Sequence, residues 1–237
     1  MSNPFFSFKQ FTVHHDRCAM KVGIDGVLLG AWCNVDDTHH ILDIGTGTGL
    51  IALMLAQRSN SSIDAIDIDR NAVQQALENI NQSPWKNRIK VEEFSLQDYA
   101  LSTHQHYDLI VSNPPYFVNS LKTPFENRTT ARHTDTLTHE DLILNALLLL
   151  KPEGRICIIL PLEEALLCEA FALSKGLFCS RLVKVIPKPS SDVKRLLLEF
   201  RLQSSIKEVS ELVIEGTERH HYSEEFSLMA KEFYLKL

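Results

Sequence analysis

The 237-residue sequence predicts an α/β fold, a mostly parallel sheet with helices on both faces. Three observations carry that expectation. From Ile41 to Gln203, short apolar runs alternate with longer amphipathic ones in the β-α-β-α order that a parallel sheet needs. Hydrophobic residues make up 44% and charged residues 23%, a balance that excludes a disordered or fibrous chain. The length suits one large domain, here 1–237, with 1–40 as an N-terminal cap segment, 41–203 as the core and 204–237 as a C-terminal extension.

Each element has its own local reason. Residues 41–44 are an apolar run ending in a glycine turn, which reads as a strand, and 50–57 follow as a helix. A strand over 62–66 leads to a helix over 70–80, for which Asp69 is a suitable N-cap. Residues 90–92 give a short strand, and 108–111 a buried strand that stops at Pro114-Pro115. The helix over 141–150 is stopped by Pro152-Glu153-Gly154, and a strand over 155–160 precedes a helix over 163–174. Two long β-rich runs, 178–186 and 193–202, flank Pro187-Lys188-Pro189-Ser190-Ser191 and so predict an antiparallel hairpin. The last thirty residues carry seven acids and end in an amphipathic stretch, 224–237, while the aromatic-rich start caps the site.

Composition narrows the function classes. The formal charge is -6, and residues 1–21 lack the basic start and apolar core of a secretory signal. The longest apolar runs, 146–150 and 156–160, fall far short of the roughly 20 residues that span a bilayer. Five cysteines (Cys18, Cys33, Cys157, Cys168, Cys179) form no C-x-x-C pair, which favours reduced thiols in the cytosol. The His pairs 14/15, 39/40 and 220/221 are adjacent, so they cannot share a helix face as metal ligands and read as surface polar residues. No metal and no membrane contact are predicted, and no obligate protein partner is evident.

Asp43-Ile44-Gly45-Thr46-Gly47-Thr48-Gly49 follows a strand and opens a helix. Glycines there let a ligand approach the backbone. The spacing is G-x-G-x-G, not the G-x-G-x-x-G of dinucleotide sites, and an acid stands two residues before the first glycine. Asp67 ends the second strand, where its carboxylate can accept both ribose hydroxyls, and Asp98 follows the third, where it can accept from an adenine amino group. Three carboxylates repel a pyrophosphate and suit a positively charged nucleoside. S-adenosylmethionine has a ribose, an adenine, an ammonium and a sulfonium, and it fits.

Ser112-Asn113-Pro114-Pro115-Tyr116-Phe117 follows a buried strand. An aromatic exocyclic amine is a poor nucleophile because its lone pair is delocalised. The Asn113 side-chain oxygen and the Pro114 carbonyl can accept both N–H groups and turn the lone pair toward a methyl donor. A residue before proline is held extended, so both acceptors are fixed. Tyr116 offers a face for stacking a base, worth about 1–3 kcal/mol.

With these motifs in register, the chain resembles class I S-adenosylmethionine-dependent methyltransferases that act on exocyclic or amide nitrogens. Three further stretches narrow the likeness: Phe8-Lys9-Gln10-Phe11 with Met20-Lys21-Val22-Gly23-Ile24-Asp25-Gly26-Val27-Leu28-Leu29-Gly30-Ala31-Trp32, then Ala131-Arg132-His133, then Lys194-Arg195-Leu196-Leu197-Leu198-Glu199. Together they resemble the bacterial tRNA1(Val) (adenine(37)-N6)-methyltransferase family over nearly the whole chain. The resemblance implies a Rossmann-like, seven-stranded sheet with an antiparallel edge, and as substrate the adenine beside the anticodon of a valine tRNA. Carried over by position, Asp43, Gly45, Gly47 and Gly49 would hold the methionine end of the cofactor, Asp67 its ribose and Asp98 its adenine. Lys21 falls where related enzymes cover the cofactor, and Asn113, Pro114 and Tyr116 would hold the target base.

A net charge of -6 requires any RNA-binding charge to be local. Residues 181–195 hold Arg181, Lys184, Lys188, Lys194 and Arg195 against Asp192, and 122–133 hold Lys122, Arg128, Arg132 and His133 against Glu126. Both segments are expected to meet the tRNA anticodon stem-loop. Other substrates stay open for the same tetrad: a protein glutamine, a ribosomal RNA guanine N2 or a DNA adenine N6. A non-catalytic RNA-binding subunit with this fold is a further alternative.

Overall fold

The structure, a computed structural model, describes residues 3–18, 21–115, 137–216 and 221–236. The chain opens with an antiparallel hairpin of β1 (Phe5–Ser7) and β2 (Thr12–His14), followed by α1 (Ile24–Trp32). Next come β3 (His40–Ile44), α2 (Leu50–Arg58), β4 (Ser62–Asp67), α3 (Arg70–Asn81), β5 (Ile89–Glu93), α4 (Leu96–Ser102) and β6 (Tyr107–Ser112). The second half supplies α5 (His139–Leu149), β7 (Leu150–Pro161), α6 (Leu162–Ser174), β8 (Phe178–Ile186), β9 (Arg195–Arg201), β10 (Glu208–Val213) and α7 (Glu224–Ala230). Asp69 caps α3 as its sequence position predicts, its side chain accepting from Asn71 N.

The main sheet has the order β10-β8-β9-β7-β6-β3-β4-β5. β9 runs antiparallel to both β7 and β8, and the other pairings in this sheet are parallel. The sheet therefore has eight strands rather than seven. The extra one, β10, comes from the stretch read as a C-terminal extension and pairs with β8, so the β8–β9 hairpin lies inside the sheet rather than at its edge. Four of the six β10 residues are exposed, which hides its strand character from a hydrophobicity reading.

Alternate strand residues feed two cores, one per face. Ile41, Ile63, Leu109, Val111 and Cys157 face α1, α2, α3 and α7, while Leu42, Ile44, Ile110, Ile156 and Ile158 face α4, α5 and α6. Helix α2 is buried from Leu50 to Ala56 because α1 covers it. Two glycines of α1 make that contact possible: an added Cβ would lie 3.0 Å from Leu50 Cδ2 at Gly26 and 2.9 Å from Met54 Sδ at Gly30. One expectation is corrected here. His15 is not a surface residue but is buried, with its ring Nε2 hydrogen-bonded to Asn3 O at 2.9 Å. Among the described residues no helix is long and apolar enough to cross a membrane.

The chain runs outward from β3 through β4 to β5, then returns to place β6 on the other side of β3. The crevice between the carboxyl ends of β3 and β6 is therefore the switch point at which open α/β sheets bind ligands.

Candidate functional site

Registers put the site residues on one level. Ile66, Ile44 and Ser112 are Cα partners across the adjacent strands β4, β3 and β6. One residue further on, each strand contributes a site residue: Asp67, Gly45 and Asn113 respectively. Ser112 fixes the exit, since its buried hydroxyl donates to Ile44 O at 2.9 Å. Asn113 then leaves the sheet half-buried, followed by buried Pro114 and exposed Pro115.

The turn after β3 is held by the backbone. Gly45 N and Thr46 N donate to Ile66 O at 2.9 and 3.0 Å, and Gly49 N donates to Thr46 O at 2.9 Å. Gly45 has φ +69° with no atom within 4 Å of where a Cβ would stand, so that side of the turn is open to a ligand. Gly49 differs. It caps α2 at φ +80°, and its Cβ direction meets Ile80 Cδ1 at 3.3 Å, so it serves the packing of the turn on α3.

Asp43 lies beneath this turn, fully buried. Its Oδ2 accepts from Thr46 Oγ1 at 2.7 Å and from Ala52 N at 3.2 Å, one of the orphan donors of the first turn of α2. Its Oδ1 is buried with no hydrogen-bond partner among the described residues. Burial pushes the Asp43 carboxyl up to about 7 despite those two hydrogen bonds, and the nearby charge of Asp67 adds to the effect. Such an oxygen is costly to leave unpaired and calls for a cationic or N–H donor.

Asp67 is half-buried. Oδ2 accepts from Gly47 N at 2.8 Å and Oδ1 from Asp69 N at 2.9 Å, which leaves each oxygen a lone pair for a vicinal diol. Burial raises its pKa, and those backbone N–H bonds oppose the rise. Ile68, which sequence reasoning passed over, is 59% exposed between Asp67 and Asp69 and offers an apolar face beside the carboxylate. In the sequence it looks like one more residue of the apolar strand. Asp98 is exposed on α4, where its Oδ2 accepts from Ser95 Oγ at 2.7 Å and its N–H donates to Ser95 Oγ at 3.0 Å. That capping arrangement occupies one of its oxygens. Lys21 is exposed just ahead of α1. Tyr116, Arg128, Arg132 and His133 lie outside the described residues.

The basic run 181–195 is not a bare cationic patch. Lys184 pairs with Glu211 and Lys188 with Glu215, both beyond β8 in the sequence, at 3.1 and 3.2 Å. Arg195 pairs with Asp25 of α1 at 3.1 Å. Arg181 lies at the opposite end of the sheet from the site, tied to buried Glu199 at 3.1 Å and stacked over Trp32 at 4.6 Å. Lys194 is exposed at the site end of the sheet, next to the start of β9.

The donor set fits S-adenosylmethionine: an unpaired buried carboxylate oxygen for an ammonium, an open glycine turn, and a strand-end carboxylate for ribose hydroxyls. Comparison with known proteins agrees. Residues 26–171 match the methyltransferase small domain family. A tRNA1(Val) (adenine(37)-N6)-methyltransferase of Parabacteroides distasonis is 53% identical over 237 residues, covering 100% of both chains. One from Bacteroides fragilis is 50% identical over 242 residues, again covering 100% of both. The crystal structure of a predicted O-methyltransferase from Agrobacterium tumefaciens shares the fold, with a TM-score of 0.67 at 18% identity, over 88% of this chain and 96% of that one. By sequence, fold and site chemistry, the chain belongs to the methyltransferase small domain family and, within it, to the tRNA1(Val) (adenine(37)-N6)-methyltransferases.

Proposed function

We propose that this chain transfers the methyl group of S-adenosylmethionine to the exocyclic N6 of an adenine in tRNA, the adenine at position 37 beside the anticodon of a valine tRNA. The observation that carries the reading is the common level of Asp67, Gly45 and Asn113 at three adjacent strand ends. A carboxylate for a nucleoside, a turn left open at Gly45 and an amide that can accept from an amine share one crevice. The names of the full-length relatives support tRNA as the substrate, and a tRNA substrate supports a cytosolic location.

Bound there, S-adenosylmethionine supplies an electrophilic methyl carbon on a sulfonium. Asp43 holds the ammonium of the methionine end through its unpaired Oδ1, with Gly45, Gly47 and Gly49 shaping the turn around it. Asp67 holds the ribose, Ile68 lies against the cofactor's adenine, and Asp98 accepts from that ring's amino group through the oxygen not used by Ser95. Lys21 covers the cofactor from the N-terminal side. The Asn113 side-chain oxygen and the Pro114 carbonyl accept the two N–H bonds of the target amine, which directs its lone pair at the methyl group. Neither Pro114 nor Pro115 has an N–H to compete for those acceptors. Tyr116 stacks on the target base. As the N6–methyl bond formed, the sulfonium–methyl bond would break and S-adenosylhomocysteine would leave. The methylated amine, acidified by that step, would give its proton to water, so no general base of high pKa is needed. Asn113 and the turn reach alignment by holding the two reactants about 3–3.5 Å apart.

Arg128, Arg132, His133, Lys188, Lys194 and Arg195 are the proposed RNA contacts. Both partners of the Lys188–Glu215 pair are exposed, so it is worth about 0–1 kcal/mol and can yield to a phosphate. The target base is unpaired in its loop, so turning it into the crevice costs less than extracting one from a duplex. To test the reading, purified protein is incubated with labelled S-adenosylmethionine and bulk tRNA from a strain lacking the enzyme. The expected product is N6-methyladenosine in a nuclease digest, and its absence would sink the proposal.

A further inference from the structure

Among the described residues, one buried side chain bonds both the N-terminal hairpin and the glycine turn. Asn79, in α3, is 1% exposed. Its Oδ1 accepts from His14 N at 2.9 Å, and its Nδ2 donates to His14 O at 2.9 Å and to Thr48 O at 2.8 Å. Both amide protons are thus committed, to two carbonyls that lie far apart in the sequence. His14 ends β2, and the amide of Asn79 satisfies both of its backbone polar groups as a neighbouring strand would. Thr48 stands between Gly47 and Gly49 in the turn.

Neighbouring contacts continue the line. Gln75, four residues before Asn79 on α3 and equally buried, accepts from Arg17 N at 3.1 Å. The Arg17 guanidinium meets Glu78 at 2.6 Å. Residues 14–17 therefore run along α3 toward Asp67. The half-buried Cys18 thiol is pushed up to about 11 by burial first, and then by the charges of Asp67 and Asp69. A two-stranded hairpin of this size is marginal alone, so its position is set by what it docks on. Here that is α3, Phe11 packed on Trp85 at 5.8 Å, and the C-terminal segment, where Phe6 and Phe8 meet Tyr234 at 5.7 and 6.0 Å and Lys9 N donates to Phe233 O at 2.8 Å. Of these, only the α3 contact also reaches the turn through Asn79.

We propose that Asn79 is a positioning residue that couples the hairpin to the turn, so that a ligand seated on residues 45–49 is felt by residues 5–18 through the Thr48 carbonyl. The proposal rests on the cofactor reading above. A buried amide with every bond made transmits displacement because any one bond lost leaves a polar group unpaired in a low-dielectric site.

Amide hydrogen exchange read by mass spectrometry, on the full chain with and without S-adenosylhomocysteine, tests it. In the unaltered protein the ligand is expected to protect peptides covering 43–52 and also 5–18. In Asn79→Ala, at saturating ligand, protection of 43–52 remains and that of 5–18 is lost, with Kd weakened about tenfold, as for the loss of one buried hydrogen-bonding side chain. Gln75→Ala removes the Arg17 tie but not the Thr48 tie, and it retains the response of 5–18. No protection anywhere refutes the cofactor reading itself. Protection confined to 43–52 in the unaltered protein, its persistence at 5–18 in Asn79→Ala, or its loss in Gln75→Ala overturns the coupling alone. Should Asn79→Ala fail to fold, Asn79→Asp at pH 8 keeps the volume and the acceptor for His14 N without the two donors. The same loss is then expected, and retention overturns the proposal.

Discussion

Lowering the pH from 8 to 6 protonates Asp43 in the ligand-free protein, because burial has raised its carboxyl to about 7. The ammonium of S-adenosylhomocysteine, the ligand used for the test, stays largely protonated over this range and requires the carboxylate. Binding must therefore expel the proton, and Kd rises by the factor 1 + 10^(7 − pH). That factor is about 1.1 at pH 8 and about 11 at pH 6, so affinity falls about tenfold, or about 1.4 kcal/mol. The sign for stability follows from the same shift. Between the unfolded value of 3.8 and about 7 the folded protein binds more protons at this site than the unfolded chain, so the ligand-free fold loses stability as pH rises through 7. Ligand-induced thermal stabilisation should be larger at pH 8 than at pH 6 for that reason. Calorimetry with S-adenosylhomocysteine in two buffers of different ionisation enthalpy reads the expelled proton directly: about 0.9 per site at pH 6 and about 0.1 at pH 8. Asp67 is shifted in the same direction, and Asp43→Asn isolates the first group. In that variant the amide oxygen still accepts from Thr46 and Ala52, but an NH2 replaces the carboxylate oxygen that met the ammonium. Loss of a charge-assisted bond predicts roughly 10–150-fold weaker binding at pH 8, with a much flatter pH profile. Equal Kd at both pH values, or an unchanged slope in Asp43→Asn, would refute the assignment.

Three other outcomes can be checked on the same protein. Asn113→Ala is expected to lower turnover by at least about a hundredfold, the scale of one donor or acceptor aligned on the reacting group, with tRNA affinity nearly kept in a gel-shift titration. Unchanged methylation would rule out the amide mechanism. Gly45→Ala adds a methyl group to the open side of the turn at φ +69°, costing about 1–2 kcal/mol of stability in thermal denaturation and raising the cofactor Kd about tenfold or more. The double change Lys188→Ala with Lys194→Ala should weaken tRNA binding across sequences and reduce the slope of log K against log salt by about 1.4, since each phosphate contact to a single strand contributes about 0.7.

The parts of the fold most legible in the sequence are those whose burial is continuous. The sequence bounds β8 at 178–186, as the structure does, because its apolar run ends at Pro187, and it starts α3 at Arg70 because Asp69 caps it, one residue short at the other end. β1 and β2 have three residues each, too short for any periodicity to register, and β10 reads as polar because it joins the sheet at an exposed edge. Within the site, Asp43, Asp67 and Asn113 could be placed from the sequence because each ends or follows a strand. Neither Asn79 nor Ile68 gave a signal. An asparagine within an amphipathic helix looks solvated until the carbonyls of His14 and Thr48 are seen around it. The basic run misled for a similar reason. Its neutralising acids, Glu211, Glu215 and Asp25, are remote in sequence and reach it only through β10 and α1.

Those acids bear on how a chain of net charge -6 can select an RNA. Free lysines along β8 would attract any phosphate backbone, and affinity of that kind carries no sequence information. With Lys184 and Lys188 each facing a glutamate, a phosphate gains only the difference between itself and the carboxylate it displaces. Non-specific attraction would thereby be reduced, while the terms that require one base in one pose would be untouched: the acceptors proposed at Asn113 and Pro114 at the switch point. Discrimination is a difference of affinities. Weakening the part shared by all RNAs would raise the share that depends on the target adenine, and here Glu211 of β10 and Glu215 just beyond it would perform that subtraction.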